Sequence, residues 1–238
     1  MNETRLAERL DDVAAAEARL LRTLDSLDDG DLGVPSLCEG WTRGHVLAHV
    51  ALNAHSIVNL FEWARTGTET PQYPGWEERN ADIDRFAGRS AEEHRAALTA
   101  AGSAFAAAAR AVPADRWVFP VRGIGGDPQP AETFLFGRLR EVEIHHVDLA
   151  AGYAPHDWPG DFVRAVLDQV PRRLGPRVRE PFVGMGSDLG ARVQIGDGAP
   201  RVEVAGPASS LLAWLLGRSD GSDLAVTGGG LPQVPSWG

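Results

Sequence analysis

The stretch REVEIHHVDL, residues 140–149, sets Glu141, Glu143, His145, His146 and Asp148 close together. Carboxylates and imidazoles hold divalent metals and move protons near neutral pH. If the stretch is helical, residues three or four apart share a face. Arg138, Glu141, His145 and Asp148 then form one row, and Leu135, Leu139, Val142, His146 and Leu149 the row beside it. The second row is mostly apolar, so it is the natural core-facing stripe and carries His146 inward. Arg140 and Glu143 point toward solvent on this reading.

Glu141 and His145, one turn apart at the edge of that stripe, can share a metal ion. The pair is incomplete, and a further ligand has to come from another helix. RGHVLAHVALNAHS offers His45, His49 and His55, the first two again one turn apart. The spacing matches neither a zinc finger nor H-E-x-x-H. A single helical histidine is more often a hydrogen-bonded or surface residue than a ligand. Two histidine-bearing helices in one small bundle bring the metal reading level with that plainer one.

These residues need helices to position them. Leu6, Leu10, Val13, Leu20, Leu24 and Leu27 repeat at helical spacing over residues 3–28. A second helix is expected over 43–65, with Thr42 as N-cap and Gly67 as its stop. The Pro-, Gly- and aromatic-rich segment 66–88 reads as a long loop that turns helical near Trp76. Ser90 and Glu93 form a capping box ahead of a helix over 91–111. A fourth helix is expected over about 129–151, ending at Gly152. Four such helices make an antiparallel bundle.

After Tyr153 the pattern changes: one helix, short strand-like runs in ARVQIGD and PRVEVAG, a helix in PASSLLAWLLGRSDG and a last strand in LAVTGG. The expected fold class is mainly α with α+β, in two domains: a four-helix bundle over 1–153 and a small α+β domain over 154–238.

Composition narrows the functions. The 238 residues carry 23 basic against 33 acidic side chains, a net charge of −10, which argues against nucleic-acid binding. An anionic small molecule is compatible if arginines dominate locally. The single cysteine, Cys38, excludes an intrachain disulfide and suits a reducing compartment. The N-terminal MNETRLAERL lacks a signal-peptide layout and no run of apolar residues is long enough to span a membrane, so a cytoplasmic protein, monomer or dimer, is expected.

Taken in order, WTRGHVLAHVALNA, ERNADI, RLREVEIHHVDLAAGY and LLAWLLGR resemble the mycothiol-dependent maleylpyruvate isomerase family, one of the DinB-like metal-binding helical bundles. The resemblance covers nearly the whole chain. It implies a divalent metal, usually zinc, held by His49, Glu141 and His145, with Asp148 as support behind His145. It also implies an external thiol cosubstrate, mycothiol, the low-molecular-weight thiol of actinobacteria.

The implied reaction is isomerisation of maleylpyruvate to fumarylpyruvate in gentisate breakdown, by reversible thiol addition to the C=C bond. Arg79 in ERN and Arg218 closing LLAWLLGR match family positions suited to holding an anionic, dicarboxylate-like substrate. Cys38 is then expected to be structural. Two other readings remain: a mycothiol S-transferase using the same metal on other electrophiles, and a non-catalytic metal-binding module in which His45 fills the fourth ligand position.

Overall fold

Each expected helix of the first half forms, including the helical turn expected near Trp76 in the aromatic-rich segment. In the computed structural model, which describes residues 1–237, α1 spans Glu3–Leu24 and buries Leu10, Val13, Ala16, Leu20 and Leu24. It stops short of residue 28 because Asp28 and Asp31 cap a separate short helix, α2 (Asp29–Leu32). Helix α3 (Arg43–Thr66) starts on a Thr42 cap and ends at Gly67, whose φ of 78° is left-handed and natural for glycine. Helix α4 (Trp76–Ala87) begins where the aromatic-rich loop was expected to turn helical. Helix α5 (Ala91–Ala111) carries the Ser90–Glu93 capping box.

A 3-10 turn over Ala114–Val118 leads into a hairpin of β1 (Pro120–Arg122) and β2 (Pro128–Pro130). That hairpin shortens the next helix, α6, to Thr133–Asp148. At its other end Ala150 (φ 49°) and Gly152 (φ 94°) leave the helical region.

Helix α6 packs against both α1 and α3, and α3 also packs on α4 and α5. A helix flanked on two sides cannot keep the single apolar stripe of a surface helix. Arg138, Glu143, His146 and Asp148 are accordingly all buried. This corrects the solvent-facing placement of Glu143. Its carboxylate turns toward α1, where Arg19 pairs with it and the Tyr153 hydroxyl donates to it. Arg140, also placed toward solvent, is half-buried.

The chain divides into two compact units, Met1–Tyr153 and a second beginning at Ala154. In the second, a 3-10 turn over Pro155–Asp157 precedes α7 (Gly160–Leu167) and α8 (Val170–Leu174). Pro171 in the first turn of α8 splits what reads as one helix in the sequence. The strands are β3 (Phe182–Gly186), β4 (Ala191–Ile195), β5 (Val202–Gly206) and β6 (Ala225–Thr227), with α9 (Ala208–Leu215) between the last two.

The sheet order is β4-β3-β5-β6, and only the β3–β5 pair is parallel. Strand β3, at the centre, was not expected from sequence. Its Gly184 and Gly186 weaken the strand pattern. They are small because α9 lies close: a Cβ on Gly186 would fall 2.7 Å from that of Ala208.

Candidate metal centre

The site forms where α3 and α6 face each other. Their spacing is set from behind by Arg138, which is fully buried. Its guanidinium donates through Nη1 to Val50 O (2.7 Å) and Asn53 Oδ1 (3.1 Å) on α3. It also donates through Nε and Nη2 to Glu17 Oε1 on α1 (3.1 and 2.8 Å). Val50 follows His49 directly, and Arg138 lies one turn before Glu141, so this clamp fixes the two helices beside the functional side chains.

In front of the clamp, His49 Nε2 lies 2.9 Å from Glu141 Oε2, and His145 Nε2 lies 3.6 Å from the same oxygen. The His49 and His145 rings meet edge to face at 4.6 Å. The three donor atoms lie within 4.8 Å of one another. Zinc bonds of roughly 2.0–2.2 Å in tetrahedral array need donors about 3.3 Å apart. Two imidazoles and a carboxylate converging at this spacing therefore fit a divalent cation and leave one of four positions over.

The electrostatics differ among the three donors. Burial pushes His49 down to about 4, so this ring is neutral and can be a ligand. Burial alone would raise Glu141, but hydrogen bonds to His145 and His49 outweigh it and hold the carboxyl well below its usual range. Burial likewise opposes a charge on His145. The Asp148, Cys38 and Glu141 side chains override that and raise it well above the usual histidine value.

Asp148 Oδ2 stands 2.9 Å from His145 Nδ1, so that nitrogen carries a proton and Nε2 is the one turned to the donor set. Asp148 thus occupies the supporting place expected of it. Cys38 Sγ donates to the same oxygen at 3.3 Å. His146 is buried, bonded through Nε2 to Thr23 Oγ1 (2.7 Å) and stacked on Tyr153.

The other two histidines of α3 stand apart. His45 closes the capping box at the start of the helix, with Nδ1 2.8 Å from Thr42 Oγ1 and Nε2 3.7 Å from Asp84. His55 is exposed. Neither belongs to the donor cluster.

Arg79, on α4, does reach the site. Its Nη2 donates to His49 Nδ1 at 3.1 Å, and its guanidinium lies over the rings of Tyr73 (5.8 Å) and Trp76 (5.6 Å). Arg218 belongs to the second unit. There its backbone N–H closes the end of α9 on Ala213 O (2.8 Å) and its Nη1 donates to Leu216 O (2.8 Å). Sequence reasoning passed over Trp41, whose ring packs 5.5 Å from that of His49, and Tyr73; no spacing rule marks a loop aromatic as part of a site.

The fold has close counterparts. The family model described as the mycothiol maleylpyruvate isomerase N-terminal domain matches residues 13–150. A crystal structure of a mycothiol-dependent maleylpyruvate isomerase is 31% identical, with a TM-score of 0.89 over 98% of this chain and 97% of that one. The chain belongs to the mycothiol-dependent maleylpyruvate isomerase family. A structure of a single-histidine mutant of such an isomerase matches at 30% identity, with the same TM-score and coverage. No curated protein matches in sequence. The family likeness extends over both units, so the helical bundle followed by a small α+β unit is the architecture of the isomerase structures as well. Among the described residues no helix is long and apolar enough to cross a membrane.

Proposed function

We propose that this protein is a mycothiol-dependent maleylpyruvate isomerase with a divalent metal, zinc by donor type, held by His49, Glu141 and His145. The observation that carries this reading is the convergence of those three donors on the family's own scaffold. A cation there would supply the Lewis acidity that favours the thiolate of the cosubstrate at neutral pH.

The chain's own groups supply the rest. His145 is held by Asp148 on its Nδ1 side and offers Nε2 inward. Arg79, beside His49 and lying over the Tyr73 and Trp76 rings, provides a positive charge for a substrate carboxylate. The family resemblance names Arg218, in the second unit, as a further residue for an anionic substrate.

In the reaction, the thiolate sulfur bonds to one alkene carbon and the π electrons move to the conjugated carbonyl as an enolate. Positive charge from the arginines stabilises that oxyanion. Rotation about the new single bond and return of the electrons expel the thiolate, giving the trans alkene with the thiol unchanged. A cytoplasmic location in an organism that makes mycothiol, and a place in gentisate breakdown, accord with this chemistry.

The test is to incubate zinc-loaded protein with mycothiol and maleylpyruvate while following absorbance and free thiol together. Isomerisation at constant thiol is expected. Stoichiometric thiol loss would make the protein an S-transferase, and no change in either would remove it from thiol chemistry.

A further inference from the structure

Cys38 has no role in the reaction as written, yet its sulfur is placed against the site. It lies in the loop before α3, and that loop is tied to the end of α6. Leu37 N donates to Asp148 O (2.9 Å), and Arg43 donates through Nε to Leu149 O and through Nη2 to Ala150 O (both 2.8 Å). Within the loop, Ser36 Oγ accepts from Cys38 N (3.1 Å) and donates to Trp41 O (2.9 Å), which fixes the cysteine backbone.

The Cys38 thiol and the Nδ1–H of His145 then meet on one oxygen, Asp148 Oδ2, at 3.3 and 2.9 Å. The Asp148 side chain is only 1% exposed, so bulk water is a poor substitute for either donor. The sulfur sits on the Nδ1 side of His145, whereas Glu141 faces Nε2. That placement separates it from the position a reacting thiol needs.

We propose that Cys38 is a positioning residue for the metal centre: its S–H holds Asp148 Oδ2, and that carboxylate fixes the ring orientation and tautomer of His145. The inference rests on the metal reading of His49, Glu141 and His145. A carboxylate behind a ligating histidine raises the basicity of the ligand and orients it, and disturbing such a support typically costs about 10–100-fold in metal affinity. Cys38 acts at one further remove, which puts its effect at the lower end of that range. The same three groups, Cys38, Asp148 and His145, could alternatively be donors to a second ion, since their ligand atoms also lie within 4.8 Å of one another. The hydrogen-bond separations and the burial of Asp148 favour the positioning role.

The experiment measures zinc affinity by chelator competition, metal equivalents per chain, and the visible spectrum of the cobalt-loaded protein. Wild type, Cys38→Ala and Cys38→Ser are compared, with thermal melting to confirm folding. Cys38→Ala should bind zinc about tenfold more weakly and show a shifted cobalt band. Cys38→Ser keeps a donor and should stay near wild type in both.

Should the alanine variant fail to fold, methylthiolation of Cys38 in the folded wild-type protein removes the S–H instead, and the same weakening is expected. Unchanged affinity and spectrum after either perturbation would overturn the proposal. So would a wild type that binds two ions and an alanine variant that binds one. A wild type that binds no metal would instead overturn the metal reading itself.

Discussion

Removing Glu17 tests whether the clamp behind the site works as an ion pair. Arg138 is wholly buried and carries a permanent charge. Two of its donors, Nε and Nη2, end on Glu17 Oε1, while Nη1 keeps Val50 O and Asn53 Oδ1. A buried charge that loses its partner costs about 3–5 kcal/mol. The Glu17 side chain is 18% exposed, so water can follow the truncation in Glu17→Ala and the cost falls near the low end, about 3 kcal/mol.

For a unit of this size each kcal/mol lowers Tm by roughly 2–4 °C. A drop of about 10 °C in calorimetry is therefore expected. The decisive comparison is Glu17→Ala with Arg138→Met. Deleting both charges removes the stranded guanidinium, so the double variant should melt above Glu17→Ala alone. A double variant whose losses simply add, or a Glu17→Ala protein that melts within about 2 °C of wild type, would refute the reasoning.

Other expectations concern the centre directly. His49→Ala and His145→Ala should each lose metal and turnover together, read by elemental analysis and the isomerase assay; a metal-free variant with full activity would remove the site. With His145 raised and Glu141 lowered, the metal-free centre holds a proton on His145 at neutral pH, and a metal must displace it. Loading should release about one proton, seen by calorimetry in buffers of different ionisation enthalpy, and affinity should fall as pH drops below the raised His145 value.

Arg79 can only donate, so it requires His49 Nδ1 to accept, whereas coordination through Nε2 leaves a proton on Nδ1. Arg79→Ala should therefore bind metal more tightly while losing turnover; weaker binding would contradict this. Arg218→Ala should keep its metal and lose turnover, and unaltered kinetics would exclude it from the mechanism.

How much of this was legible in the sequence depended on how many neighbours each helix has. Glu141 and His145 share a face by helical spacing alone, and α6 is regular enough to keep that relation. His49 could be chosen over His45 and His55 only through the family resemblance, because the choice depends on how α3 turns against α6. Glu143 was misplaced because a second neighbour, α1, buries a polar face when Arg19 and Tyr153 are there to meet it. Strand β3 escaped notice for a related reason. Its glycines answer to the helix lying on them, and periodicity carries no sign of that contact.

The capping role of His45 has a wider consequence. The only other imidazole within one turn of His49 is committed to starting α3, through its bond to Thr42. Secondary structure formation thus withdraws a competitor before any ion arrives. A protein that stores or senses an ion gains by closing every coordination position, whereas one that exchanges a reactant at each cycle must keep a vacancy. The bond of His45 to Thr42 fits the second behaviour, so Thr42, outside the donor cluster, bears on whether a metal held by His49, Glu141 and His145 would keep a position for a reactant.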